Sequence, residues 1–491
     1  MQTKAITYLW HDYETFGLDT RRDRPAQFAA IRTDEHFHAI EPEMCWYCRP
    51  SLDYLPNPQS ITITGITPQE CLEKGTCEAE FAQKIDRAMT QESTVSIGYN
   101  SSRFDDEVTR FLFWRNFRDP YAREWSNNCS RFDLFPLVLA TWALRPQGIQ
   151  WPQKEDGKTS FRLEHLTKAN GLDHEKAHDA LSDVYATIAV AKLIAQKQPK
   201  LWEYAISLRN KYAVQEVFNK GLTQGPVLWV NMKFGAKNGF MKLVAPLGNH
   251  PEQKNKVLVW DLAYDPSELM TLTQQDIKKR LFLSEEDRAA GLKPLPIYIC
   301  PINQAPFVVA HLGVLSQERA EHFGIDKDLA RENYAKMPTV TPMMLGAWAE
   351  AFDRDDNEPE DIDAALYSEP FASFDDKKRC RWISQATPEK LTELVEAGKD
   401  VFDNDRYREK LFRYRARNWP ESLLPAEQAL WREQCSARLE GQEGEGLTLE
   451  SFAQALSDLE ESAHEDERLQ AICEALYEWQ DLVVQHLDPY Q

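Results

Sequence analysis

Ala5-Ile-Thr-Tyr-Leu-Trp-His-Asp-Tyr-Glu14 is a short apolar run that closes on two carboxylates. Ala5–Trp10 has the length and apolar density of a buried strand, and Asp12 and Glu14 follow at its end. Alternate residues of a strand face the same side, so the two carboxylates project together. Two anions this close repel, and holding both ionised calls for a cation between them. Taken alone, an acid-x-acid after a strand is also a common surface pattern.

Working outward, Gln27–Arg32 and Met44–Cys48 read as strands spaced as hairpin neighbours of the first. Ile63-Thr-Gly-Ile-Thr67 precedes Pro68, which suits the first turn of a helix. Val95–Tyr99 is a further strand, and helical spacing follows at Asp105–Phe117, Phe132–Ala143, Arg162–Asn170 and Ala177–Gln196. The first part of the chain, 1–198, is therefore α/β. After Gln198-Pro199 the alternating runs Val227–Val230, Met241–Val244 and Lys256–Trp260, set apart by Gly and Pro, indicate a small antiparallel β unit within 199–352. Asn357–Asp363 reads as an acidic, proline-containing linker into a helical region, 357–491.

Composition excludes several classes. No run of about eighteen apolar residues and no charged-then-apolar leader occurs, so no membrane span is expected and the expected location is the cytoplasm. The nine cysteines are scattered, and Cys45-Trp-Tyr-Cys48 has no second pair to complete a zinc site; reduced thiols are the expectation. The net charge of −21 divides unevenly: −18 falls in residues 351–491, whereas residues 191–260 carry eleven basic and three acidic side chains. Only the local field steers a polyanion, so an acidic total is compatible with nucleic acid.

Two further motifs bear chemistry. Asn100-Ser-Ser-Arg-Phe-Asp105 places a carboxylate just past a strand, where a helix-capping role is equally open. His178-Asp-Ala-Leu-Ser-Asp183 sets a histidine five residues before an aspartate. On one helix the two would lie about 140° apart, so they converge only if His178 precedes the helix.

Asp-x-Glu, Asn-x4-Asp and His-x4-Asp in this order, with Thr64-Gly-Ile-Thr67, resemble the histidine-containing branch of the DEDD exonuclease superfamily. The longer blocks His11–Gly17, Arg24–Asp34, Phe104–Arg110, Ser160–Gly171 and Arg413-Tyr-Arg-Ala-Arg-Asn418 are similar to the bacterial exonuclease I family. The resemblance implies a ribonuclease H-like exonuclease domain with a mixed central sheet, then an SH3-like β domain and a C-terminal helical domain. It implies 3′→5′ hydrolysis of single-stranded DNA to 5′-mononucleotides, in DNA repair and recombination. Asp12, Glu14 and Asp183 would hold two Mg²⁺ ions, with Mn²⁺ able to substitute. Asp105 would complete the anionic shell, and His178, with an intrinsic pKa near 6.5, would be the general base.

The resemblance assigns the strand to Glu14, Arg110 and Arg162, and the guanidinium fork suits phosphate; a surface ion pair is the alternative for either arginine. Trp114 and Phe117 read as core, whereas Tyr121 and Trp125, past Pro120 in polar surroundings, are candidates for stacking on unpaired bases. The chain departs from the family at Leu139, where the family carries an arginine. Arg145 and Tyr204 match the family's docking site for the acidic C-terminal tail of single-stranded DNA-binding protein. The expected state is a monomer.

Overall fold

The computed structural model describes residues 5–172, 179–281, 283–289, 291–352, 361–370, 372–397, 401–442, 446–463 and 466–488. The opening run forms β1 (Thr7–Thr15), which continues through both carboxylates instead of stopping before them. It pairs antiparallel with β2 (Pro25–Thr33), and β2 pairs antiparallel with β3 (Met44–Tyr47). On its other side β1 runs parallel to β4 (Thr94–Gly98). With β5 (Ser130–Asp133) the sheet has the mixed order β3-β2-β1-β4-β5. β1, β2 and β4 are almost wholly buried, as their continuous apolar runs require.

Between β3 and β4 lie α1 (Pro58–Thr64), α2 (Pro68–Lys74) and α3 (Glu78–Met89). Thr64-Gly-Ile-Thr67 is the joint between the first two. Gly65 ends α1 at φ 74°, a left-handed conformation that glycine adopts without penalty, and the Thr67 side chain accepts from the Glu70 amide to start α2. Then come α4 (Asp105–Arg115), α5 (Leu134–Leu144), α6 (Leu163–Ala169), α7 (Ala180–Lys197), α8 (Pro199–Ser207) and α9 (Lys211–Thr223).

The alternating runs after α9 become β6 (Val227–Val230), β7 (Met241–Asn249) and β8 (Lys256–Asp261), joined by β9 (Ile297–Pro301) and β10 (Phe307–Val309). They form an antiparallel sheet of order β10-β6-β7-β8-β9. Val214, Phe218, Trp229, Val244, Val259 and Val308 build its core, with α9 laid across it.

Two compact units result: 1–130 with 174–185 and 357–491, and 131–173 with 186–356. The C-terminal helices thus share the body of the first four strands. Trp114 and Phe117 are buried with Leu391, Tyr407, Leu411 and Tyr414, as their core assignment expected. A second shared core joins Phe16, Ile61 and Cys71 to Phe452, Leu476 and Trp479.

Ions seal the same body. In the helix Asp405–Asn418, Arg413 reaches Asp361 at 2.8 Å, and Arg417 reaches Asp363 at 2.7 Å and Asp53 at 2.9 Å. Arg438 also binds Asp53, and the Ala79 amide donates to the Asn418 side chain at 2.8 Å. The Arg413–Asn418 motif is therefore a docking face. Asp361–Asp363, read from sequence as the end of a linker, instead opens a buried turn, with Ile362 3% exposed. Its acidic residues look solvated in sequence because the arginines that neutralise them lie fifty residues away.

Burial alone would raise Asp53, but Arg417, then Arg438 and Arg24, more than offset it and hold its carboxyl well below the usual range. A depressed carboxyl contributes stability above its unfolded pKa and loses that contribution as pH falls through the folded value. Asp53→Asn should therefore cost about 3–5 kcal/mol in urea unfolding at pH 7, because it leaves buried guanidinium charge unmatched. The gap from wild type should narrow below about pH 4. An unchanged midpoint at pH 7 would remove the ion network from the account. All nine cysteines are free, Cys45 exposed and Cys48 buried. Among the described residues no helix is long and apolar enough to cross a membrane.

Candidate active site

Along β1, His11, Tyr13 and Thr15 are buried while Asp12 and Glu14 are half-buried, so the strand's period of two puts both carboxylates on one face. The pairing with β2 shifts between Glu14 and Thr15, a bulge that ends the regular ladder beside the acidic pair. Asp183 lies on α7, and its amide bonds the Asp179 carbonyl at 3.0 Å. One oxygen from each of Asp12, Glu14 and Asp183 falls within 4.8 Å of the others.

Asp105 opens α4, where a carboxylate favours the positive end of the helix. Its Oδ1 also accepts from the Tyr13 amide at 3.2 Å, between the two β1 carboxylates, so it does more than cap a helix. Thr109 ties this corner together, its hydroxyl donating to the Asp105 carbonyl at 2.8 Å and hydrogen-bonded to the Tyr13 hydroxyl at 3.0 Å. Asp106, the next residue, forms a buried pair with Arg123 at 2.5 Å.

Burial first, then Asp105, Glu14 and Asp183, push Asp12 well above the carboxylate range. Glu14 is pushed up to about 8 by burial and then by Asp183, Asp105 and Asp179. Clustered anions that resist ionising are what a cation relieves. The donors are all carboxylate oxygens, suited to a hard divalent ion. Two ligands sharing one Mg²⁺ sit at most about 4.2 Å apart, so a cluster within 4.8 Å needs little closure.

His178 lies outside the described residues. His11, beside Asp12 in the first motif, stacks on Phe28 with ring centroids 5.9 Å apart. Burial, then Arg123, draw it down to about 3, so it stays neutral at physiological pH.

Among the strand-binding candidates, Arg110 is enclosed, with Glu107 at 2.5 Å, Glu124 at 2.8 Å and the Tyr367 hydroxyl at 3.1 Å. Its guanidinium also lies 5.4 Å from the Tyr121 ring centroid. Trp125 is 67% exposed and Tyr121 half-buried, and both line a cavity of about 600 Å³. Arg162 precedes α6 with an exposed side chain 3.8 Å from Glu164. Leu139 is buried in α5, as an aliphatic residue on that helix should be.

In the second unit, Arg145 donates to the Val314 carbonyl at 2.8 Å, and the Tyr204 hydroxyl donates to the Val308 carbonyl at 2.7 Å. Sequence reasoning missed Asp179, Thr109 and Arg123. Asp179 stood beside His178 in the motif and could have been named; the other two carry no local signal.

Three family patterns match the chain: Exonuclease over residues 9–191, Exonuclease I SH3-like domain over 209–354, and Exonuclease I C-terminal domain over 360–483. Exodeoxyribonuclease I of Escherichia coli K12 is 42% identical over 485 residues, covering 97% of this chain and 98% of that protein. A crystal structure of the zinc-bound form of an E. coli exonuclease I–single-stranded DNA complex superposes with TM-score 0.87 at 39% identity, covering 98% of this chain and all of that one. A crystal structure of SSB/exonuclease I with the inhibitor CFAM superposes with TM-score 0.85 at 39% identity and the same coverage. The mixed sheet with its helices is thus the exonuclease domain, and the antiparallel sheet lies in the SH3-like domain.

Proposed function

The chain belongs to the exonuclease I family, and from that premise we infer that it is a single-stranded DNA exonuclease that removes 5′-mononucleotides from the 3′ end. The observation that carries the reading is the oxygen cluster of Asp12, Glu14 and Asp183. Those residues would hold divalent cations, two Mg²⁺ with Mn²⁺ able to substitute. Such ions, when bound, make water a nucleophile near neutral pH and neutralise charge at the phosphate.

The chain's own residues set the geometry. β1 presents Asp12 and Glu14 from a rigid buried strand, and Asp105 locks that strand's edge to α4 through the Tyr13 amide. Glu14 is also assigned to the terminal nucleotide. We assign His178 as the base that accepts the attacking water's proton. His11 cannot take that role, because it is buried and held neutral far below its ordinary range.

Arg110 and Arg162 are assigned to strand phosphates. Arg110 would do so as part of the Glu107–Glu124 group, and exposed Arg162 directly. Tyr121 and Trp125 are assigned to unpaired bases. Replacing both by alanine should weaken single-strand affinity by about tenfold or more, since stacking contributes about 1–3 kcal/mol per base. Anisotropy with a labelled strand, without metal, checks this; unchanged affinity would take both residues off the strand.

Arg145 and Tyr204 are assigned to the acidic tail of single-stranded DNA-binding protein, a partner named in the SSB/exonuclease I structure. We place the enzyme in DNA repair, in the cytoplasm. Digestion of matched single-stranded DNA, blunt duplex and RNA, each with and without Mg²⁺, tests the reading as a whole. The single DNA strand should be degraded fastest and only with the metal. Equal rates on duplex or RNA would overturn the substrate assignment.

A further inference from the structure

The cavity of about 600 Å³ beside Tyr121 and Trp125 lies within the first unit, and its size suits a small organic ligand, about 300–1,000 Å³. One wall comes from the stretch after α4, the other from the helices Phe374–Ile383 and Asp405–Asn418. Hydrolysis makes no use of that second wall.

Lys410 stands in it, only 2% exposed. Its ammonium is 3.4 Å from the Trp114 ring centroid, 4.5 Å from Phe117 and 4.9 Å from Tyr407. Among the described residues no oxygen accepts a hydrogen bond from it. Aromatic faces offset part of the charge but fill none of the three N–H donors at full strength, and a buried ammonium without an acceptor is costly. Burial accordingly draws Lys410 down to about 7, against the opposing pull of Cys380, Asp363 and Glu369.

The acidic side chains around the cavity are already engaged. Asp86 binds Arg118 at 2.7 Å, Glu369 binds Arg406, and Asp119 accepts from the Tyr121 amide at 2.9 Å. Lys377 and Arg381, both exposed on this wall, have no ion-pair partner among the described residues. Three cationic side chains from the region 351–491, which carries −18 overall, therefore line the same cavity as exposed Trp125 and half-buried Tyr121. Anion and aromatic ring together are the chemistry of a nucleotide.

We propose that this cavity holds one nucleotide, its phosphate received by Lys410 with Arg381 and Lys377 and its base against Tyr121 or Trp125, as a site additional to the carboxylate cluster. The inference rests on the reading of the chain as a DNA exonuclease. The nucleotide has two sources, a residue of the bound strand or the free mononucleotide that hydrolysis releases.

The test titrates the full chain, without metal, with deoxyadenosine 5′-monophosphate by calorimetry. Saturable binding is expected. Lys410→Met should weaken it about tenfold or more, as loss of a charge-assisted contact implies, and Lys410→Arg should restore most of it. Arg381→Ala should weaken it less. A non-cleavable single strand that displaces the mononucleotide assigns the site to the strand, and failure to displace it assigns the site to free product. The inference is overturned if mononucleotide and strand affinities are both unchanged by Lys410→Met and by Arg381→Ala. Hydrolysis of a dinucleotide with Mg²⁺, measured in parallel, should be the same in wild type and variants. Its absence in wild type would count against the exonuclease reading, not the cavity.

Discussion

Asp183→Asn, and equally Asp12→Asn, should reduce hydrolysis of single-stranded DNA by about a thousandfold or more, the loss expected when several kcal/mol of metal-borne charge stabilisation disappear. Asparagine keeps the shape of each side chain, so packing is preserved. The fold should even gain from the change without metal. Asp12 is held well above the carboxylate range by burial and by Asp105, Glu14 and Asp183, and removing one negative charge relieves that repulsion. The variants should therefore unfold no earlier than wild type in chelator, yet gain less stability on adding Mg²⁺, because a ligand stabilises only the state that binds it. Thermal unfolding in chelator and in Mg²⁺, beside initial rates on a labelled strand, measures both halves. A variant that keeps near wild-type rate removes its carboxylate from the centre.

The second large effect concerns the base. His178→Ala should lower single-turnover cleavage by about 10²–10⁴-fold, the range for a positioned acid–base group. It should leave strand affinity and Mg²⁺ affinity close to wild type, since a base acts on the transition state. Among the described residues His11 cannot substitute, because it is buried, stacked on Phe28 and drawn down to about 3. Loss of binding with turnover intact would place His178 among the strand contacts.

The acidic pair was legible because strand periodicity is local. Asp12 and Glu14 needed only a period of two, and the structure keeps them on one half-buried face. Asp183 was legible from its spacing in a familiar motif, and it reaches the same cluster. The strands were found to within a few residues, except that β1 runs on through Thr15; its end is set by pairing with β2 down to Pro25, which lies outside any local pattern.

What escaped the sequence was long-range pairing. Asp105 was placed with the carboxylates by its motif, with a helix cap as the alternative, but only the fold brings its carboxylate to the Tyr13 amide. Arg110 read as a phosphate contact or a surface ion pair; Glu107 lies on its own helix, but only the fold brings Glu124 to it and buries the group. Asp361–Asp363 read as linker because charge and proline suggest solvent, while Arg413 and Arg417 make those positions interior. The same cause hid Lys410, an ordinary charged residue in a helical pattern until Trp114, Phe117 and Tyr407 surround it.

On the reading proposed above, the carboxylates Asp12, Glu14 and Asp183 drive metal-dependent removal of nucleotides from a 3′ end. A single DNA strand labelled at its 5′ end, incubated with the chain in Mg²⁺ and sampled over time, tests it most directly. Labelled fragments that shorten stepwise, unlabelled 5′-mononucleotides in solution, and no reaction in chelator are the expected result. Immediate release of a labelled mononucleotide, or the same ladder in chelator, would contradict it.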